Sequence, residues 1–401
     1  MMKILVLNCG SSTVKCQLYE FQQLPDDPML PLWEGQLEWK SSSDDINLKV
    51  TSYNGASVTQ KLRKKSPDSA IKTMIEYLQN GSTAVISSFD EIDMIGHRIV
   101  HGGKEFQESV FINQIVKDKI HELSELAPLH NPAGLVGIEI MEKLFPNKPQ
   151  MAVFDTAFHH TLSDAAKIYP LPYKRYEEGI QRFGFHGISF QYCYSRAEKV
   201  LNEKLSHAKI LICHLGSGAS LCAIKNGKSI DTTMGFAPLE GLMMDTRSGS
   251  VDPSILLYLM MKKNRTAEEL YTELYKKSGL LGISDISSDM RDILELAHAG
   301  NERAELTLNI YLHRLNACIG SMSASLQGID LLIFTAGIGE NSPFIRKKVC
   351  DNFSFLNIKL NDNLNSKEDT VLSADNSKVR VLLIHTQEAF QIAKDCWQKS
   401  R

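Results

Sequence analysis

The sequence predicts an α/β protein in which one strand-turn-strand unit occurs twice, and three stretches carry that prediction. ILVLN, Ile4 to Asn8, is an apolar run of strand length, and after the Gly10-Ser11-Ser12 turn TVKCQLYEF alternates as a second strand does. At Lys209 the pattern returns: KILICHLGSGASLCAIKNGKSI reads as an apolar strand, a Gly-Ser-Gly turn, another strand and an Asn-Gly hairpin. DLLIFTAGIGENSPFIRKKV then runs from a strand through glycines into a helix. A unit copied about two hundred residues downstream implies duplicated domains facing one another, with a loop from each reaching a shared cleft.

The remaining elements follow in order. NLKVTSYNGASVTQKL sets Asn54-Gly55 between alternating segments, the order of a tight type I′ hairpin, so the first domain opens with a run of antiparallel strands. PDSAIKTMIEYLQNG predicts a helix with a proline and an acid at its start and Gly81 just past its end. In HNPAGLVGIEIMEKLFP, Asn131 is expected to cap and Pro132 to open a helix whose Leu135, Ile138, Met141 and Leu144 share one face. The domain boundary is expected near QMAVFDTAFHH, giving domains 1–155 and 156–388, with a final helix over 389–401 packed back on the first.

Composition narrows the class of partner. With 44 basic against 47 acidic residues and a net charge of −3, there is no charge excess to attract nucleic acid or an anionic membrane. The opening MMKILVLNCGSS is too short an apolar run for a signal-peptide core, and no later run approaches a membrane span, so a cytoplasmic location is expected. Eight scattered cysteines without a CxxC pair are expected to be reduced and mostly buried.

None of the three glycine-rich turns has the Walker A order of Gly, four residues, then Gly-Lys-Ser/Thr, which excludes a P-loop. Gly-Ser turns at strand ends still offer N–H groups and hydroxyls to phosphate oxygens, and three of them point to a nucleotide. Arg98 in GHRIVHGG and Arg247 in GLMMDTRSGSVDP carry planar guanidinium groups suited to carboxylate or phosphate. His186 in QRFGFHGIS is placed either to hydrogen-bond a developing charge or to serve as a satisfied core histidine. His97 and His101 are four apart and His159 and His160 adjacent, but no HExxH accompanies them and zinc is not expected. Asp155 ends MAVFD and Glu388 follows VLLIHT; a strand-end acid either works in a site or caps the next element.

Taken in order over essentially the whole chain, LVLNCGSSTVK, GHRIVHGG, LAPLHNPAG, VFDTAFHH, RFGFHG, HLGSGAS, GFAPLEGLMMDTRSGSVDP, SSDMRD and TAGIGENSPFIR resemble the acetate kinase family. The resemblance implies two duplicated ribonuclease-H-like (actin-like ATPase) domains with an active-site cleft, the second domain binding nucleotide. It also implies a homodimer, and reversible transfer of phosphate between ATP and acetate, giving acetyl phosphate and ADP, with Mg2+ or in its place Mn2+. By the same resemblance Asp155, His186 and Arg247 are catalytic, and Asn8 and Glu388 hold or orient the metal. Arg98 takes the substrate carboxylate beside an acyl pocket of Val100, Leu129, Phe185 and Pro238. The nucleotide falls to Lys15, to His214, Leu215, Gly216, Ser217 and Gly218, to Asp289, Met290 and Arg291, and to Gly337, Ile338, Gly339, Glu340 and Asn341.

Chemistry qualifies these roles. A carboxylate acceptor is already ionised at neutral pH, so Asp155 is expected to orient groups rather than to act as a strict base. The pocket residues are apolar and fairly bulky, which favours acetate over propionate, although one methylene is worth only about 1–3 kcal/mol. The chain departs from the family pattern in having Ser217 for Asn, Asp245 for Gly, Ser250 for Asp, Ala336 for Gly, and Ile188 and Phe190 for Thr and His. Asp245, two residues before Arg247, is expected to pair with it and weaken its hold on phosphate, and Ser217 leaves the phosphate-donor preference open. A nucleotide-dependent binder would need an extra domain that 401 residues do not leave, and a sugar kinase would need polar groups in place of the apolar pocket.

Overall fold

The hairpin at the start of the chain becomes the centre of a sheet. The computed structural model describes all residues except 11–12, 40–44, 64–65, 129 and 362–367. Two units stand out: Met1–Phe158 with Gly187–Tyr192 and Gln387–Arg401, and His159–His186 with Cys193–Thr386.

In the first unit the strands are β1 (Met2–Cys9), β2 (Thr13–Phe21), β3 (Trp33–Trp39), β4 (Asp45–Ser52), β5 (Ser57–Arg63), β6 (Met94–Ile99), β7 (Val110–Phe111) and β8 (Gln150–Phe154). Their order is β5-β4-β3-β2-β1-β6-β8-β7, antiparallel from β5 to β1 and parallel from β1 through β6 to β8. Strand alternation assigns the two faces. Leu5, Leu7 and Cys9 join a core with Ile71 and Met74 of helix Pro67–Glu76 and Ile140 and Met141 of helix Asn131–Leu144. On the other face lies helix Glu388–Lys399, close enough that a Cβ at Gly96 would stand 2.7 Å from Cys396 Sγ. Phe390 of that helix makes edge contacts with Tyr19 and Phe21.

Three local expectations change here. Tyr53-Asn54-Gly55 form a three-residue loop in which Gly55 alone is left-handed (φ 85°), so the turn is not type I′. Gly55 N donates to Ser52 O across the turn, and the Asn54 carboxamide oxygen adds a side-chain bond by accepting from Ala56 N. Helix Pro67–Glu76 stops before Gly81, because Tyr77 to Asn80 already form turns onto its last carbonyls. Asn131 does not cap its helix. It is fully buried, its Oδ1 accepting from His101 N at 3.1 Å and its Nδ2 donating to His101 O at 3.0 Å, while His130 stands at the cap position.

The second unit has β9 (Lys209–Leu215), β10 (Ala219–Lys225), β11 (Lys228–Thr232), β12 (Leu331–Thr335), β13 (Thr370–Val371) and β14 (Arg380–Leu383), in the order β11-β10-β9-β12-β14-β13. Its Asn226-Gly227 turn is type I′: both residues are left-handed (φ 54° and 71°) and Lys225 pairs directly with Lys228. Helix Glu302–Leu326 packs on β9, β10 and β11. The two units therefore repeat one pattern, β3-β2-β1-β6-β8 in the first and β11-β10-β9-β12-β14 in the second. The eight cysteines are free, seven of them buried and Cys318 half-buried. Among the described residues no helix is long and apolar enough to cross a membrane.

Candidate active site

Parallel strands bring their carboxyl ends to one edge of a sheet, and in the first unit that edge gathers charge. Asn8 lies near the end of β1, Arg98 near the end of β6, and Asp155 directly follows β8. The Arg98 guanidinium grips Asp155 with two bonds, Nε to Oδ1 at 2.9 Å and Nη2 to Oδ2 at 2.6 Å. Its Nη1 donates to Asn8 Oδ1 at 3.3 Å, and Glu388 Oε2 lies 3.9 Å from Nε. Asp155 is 1% exposed. Burial pushes its carboxyl above the ordinary range, Arg98 opposes that push and Glu388 adds to it. Burial also works against the Arg98 charge, but Asp155 and Glu388 outweigh it and hold the guanidinium protonated.

Among the described residues no three His, Cys, Asp or Glu side chains form a ready-made metal site. Asn8, Asp155 and Glu388 nevertheless set hard oxygens around Arg98, the donor type that magnesium takes when substrate phosphates complete its shell. Lys15 stands opposite Asn8 in the β1–β2 register with its side chain exposed. Val100 is nearly buried, and Leu129 lies outside the described residues.

The second unit assembles a different set. His186 precedes a helix and has left-handed backbone (φ 59°). Its Nδ1 meets Ser220 Oγ at 2.8 Å, and its ring stacks on His214 with centroids 4.1 Å apart. A Cβ at Gly218 would lie 3.3 Å from His186 Nε2 and 3.1 Å from Arg247 Nη2, so both nitrogens converge on that glycine. Arg247 Nη1 donates to the Pro238 carbonyl at 2.6 Å, and Pro238 and Phe185 are both buried. Gly216 N–H bonds Gly218 O across the turn, with Ser217 exposed and Leu215 fully buried.

Asp245 sits among Ser217, Asp289 and Arg247. Burial raises its carboxyl pKa, the Ser217 side chain holds it by a hydrogen bond, and Arg247 is felt as a nearby charge. The two departures from the family pattern are thus each other's partners. Asp289 caps helix Met290–His298 by accepting from Arg291 N, and Arg291 folds its exposed guanidinium back on the same carboxylate, while Met290 is buried. In the segment Gly337 to Asn341, Gly337 has open space beside it and Ile338 is half-buried. Asn341 donates to Gly337 O, and the buried Arg346 donates to Gly339 O and Glu340 O. Glu340 Oε1 is committed to the scaffold, accepting from Ala336 N at 2.8 Å and Thr386 N at 2.9 Å.

Sequence reasoning missed Ser220 and Asn131. Ser220 could have been found by counting forward from the Gly-Ser-Gly turn, since β9–β10 pairing sets it opposite His214. Asn131 gave no such signal, because its fit to the capping rule concealed a contact 30 residues away.

With this geometry in place, the chain matches the profile of the Acetokinase family over residues 3–394. It is 50% identical to the acetate kinase of Trichormus variabilis, with 99% of each chain covered. The crystal structure of Porphyromonas gingivalis acetate kinase superposes with a TM-score of 0.91 at 40% identity, covering 100% of both chains. A propionate kinase from Francisella tularensis gives 0.89 at 36% identity, covering 98% of this chain and 99% of that one.

Proposed function

The chain belongs to the acetokinase family, and from that premise we propose that it catalyses reversible phosphoryl transfer between ATP and acetate, giving acetyl phosphate and ADP by direct in-line displacement. The observation that carries this reading is the convergence of His186 Nε2 and Arg247 Nη2 on Gly218. In the tautomer in which the Ser220 hydroxyl donates to Nδ1, Nε2 carries the proton and is a donor beside a permanent cation. Two such donors at one point stabilise the charge spread over a transferring phosphoryl group, which is most of what a protein contributes to this chemistry.

In this reading the first unit binds the acceptor. Arg98 takes the acetate carboxylate, and Asp155 fixes the guanidinium plane rather than removing a proton. Asn8 and Glu388 would hold the magnesium ion, which when bound neutralises phosphate oxygens. In the second unit His214 to Gly218 line the nucleotide phosphates together with Asp289 to Arg291 and Gly337 to Asn341, and Lys15 serves the same phosphates. Val100, Phe185 and Pro238, with Leu129, favour acetate over propionate.

The protein acts in the cytoplasm as a homodimer. Helix Pro253–Lys263 supports the dimer: it buries no residue and leaves Ile255, Leu257, Tyr258, Met260 and Met261 exposed, an apolar face for a second copy. Light scattering tests this, with a monomer at micromolar concentration as the contrary result. For the activity, protein incubated with acetate, Mg-ATP and hydroxylamine should yield acetyl hydroxamate. No hydroxamate despite ATP binding would replace this reading by a nucleotide binder, and a higher kcat/KM for propionate would overturn the pocket assignment.

A further inference from the structure

Adjacent histidines end the segment VFDTAFHH, and the structure treats them oppositely: His160 is exposed and His159 is 2% exposed. A buried imidazole needs both nitrogens satisfied, and His159 finds partners on both sides. Nε2 lies 3.0 Å from the Phe185 carbonyl oxygen and Nδ1 lies 2.8 Å from Ser229 Oγ. A carbonyl only accepts, so Nε2 carries the proton and Nδ1 accepts from the Ser229 hydroxyl. Ser229 Oγ in turn accepts from the Cys222 thiol at 3.4 Å, which gives the chain of bonds one direction. Burial, with the nearby Arg182 charge, keeps the ring neutral and its pKa near 4, while the Phe185 carbonyl pulls the other way.

The end of that chain is the peptide that joins Phe185 to His186. Gly184 is left-handed (φ 75°) and has the His159 ring against its backbone, since a Cβ there would stand 2.6 Å from Cδ2. His186, left-handed at φ 59°, is the residue whose Nε2 points toward Gly218 and Arg247. A non-glycine residue in this conformation is strained and persists only where its surroundings hold it.

We propose that His159 is a positioning residue for the second unit's phosphoryl-binding groups: its Nε2–H holds the Phe185 carbonyl and so fixes the left-handed turn that aims the His186 ring. This rests on the reading that His186 stabilises the transferring phosphoryl. Phe185, Ser229 and the Gly184 backbone hold the ring, with the Arg182 charge nearby.

The test compares His159→Phe, His159→Gln, Ser229→Ala and His186→Ala in the hydroxamate assay, with kcat and the KM values for ATP and acetate measured separately. His159→Phe should lower kcat about 100-fold, the scale of a misplaced catalytic group, with KM for ATP within about twofold. His159→Gln keeps an N–H for the carbonyl and should recover at least about tenfold of that loss. Ser229→Ala leaves the ring in place but removes the donor to its Nδ1, and should lower kcat about fivefold. Unchanged kcat in Ser229→Ala and in either His159 variant overturns the proposal, as does equal loss in His159→Phe and His159→Gln. His159→Phe need not fold for this, because Ser229→Ala and His159→Gln decide between them. If His186→Ala keeps full kcat, the reading of His186 fails instead, and the two failures are distinguishable.

Discussion

The two units carry the same strand order and opposite electrostatics at their strand ends. In the first, a guanidinium is gripped by a buried carboxylate and approached by a second, so the edge is charged but internally paired. In the second, two stacked imidazoles and a guanidinium bonded to a carbonyl present donors. The comparison teaches that duplication preserved the backbone platform and left the strand-end residues free to diverge. One unit's groups are stabilised mainly by each other, and the other's are positioned by neutral scaffold.

That contrast can be broken in four places. Arg98→Ala leaves Asp155 buried without its partner and should cost about 3–5 kcal/mol of stability, read by chemical denaturation; loss of activity at unchanged stability would contradict the pairing. Arg247→Ala should act the other way, lowering kcat about 100- to 1000-fold with the unfolding midpoint nearly unmoved. Acid should weaken both units through one neutral histidine each, His97 beside Gln150 and His159 beside Phe185, both with pKa lowered to about 4 by burial. These folded values lie below the unfolded one near 6.5, so the stability they contribute is complete above that pH and is lost as pH falls toward 4. Each shift is worth on the order of 3 kcal/mol. Denaturation of His97→Gln across this range should show about half the decline of the unaltered chain. The smallest effect belongs to Ala336, left-handed at φ 65° where the family pattern has glycine. Ala336→Gly should raise stability by about 0.5–1 kcal/mol, seen as a higher Tm.

The repeated hairpin was legible because it is local: apolar runs and Gly-Ser turns declare themselves within about twenty residues. The strand-end position of Asp155 was legible for the same reason, whereas Glu388, read as following a strand, opens a helix. The contact of Arg98 with Asp155 was not legible, since the two are 57 residues apart and meet through the parallel alignment of β6 and β8. The two Asn-Gly pairs mark the limit of local rules. Asn226-Gly227 makes the type I′ turn, whereas Asn54-Gly55 does not, because the register of β4 and β5 leaves three residues to span rather than two. Glu340 shows the converse case, a residue in a ligand-like motif whose carboxylate serves the backbone just after β12 and the segment after β14.

Helix Glu388–Lys399 carries a consequence for how the protein is made. Its first residue faces Arg98, and its body covers β1, β2, β6 and β8, yet it is encoded after the whole of the second unit. During synthesis that sheet waits with one apolar face, Val6 and Gly96 among it, uncovered until the helix that follows the second unit has been made. The first unit is therefore finished only after the second has been made, and a premature stop anywhere in the second unit also disables the first.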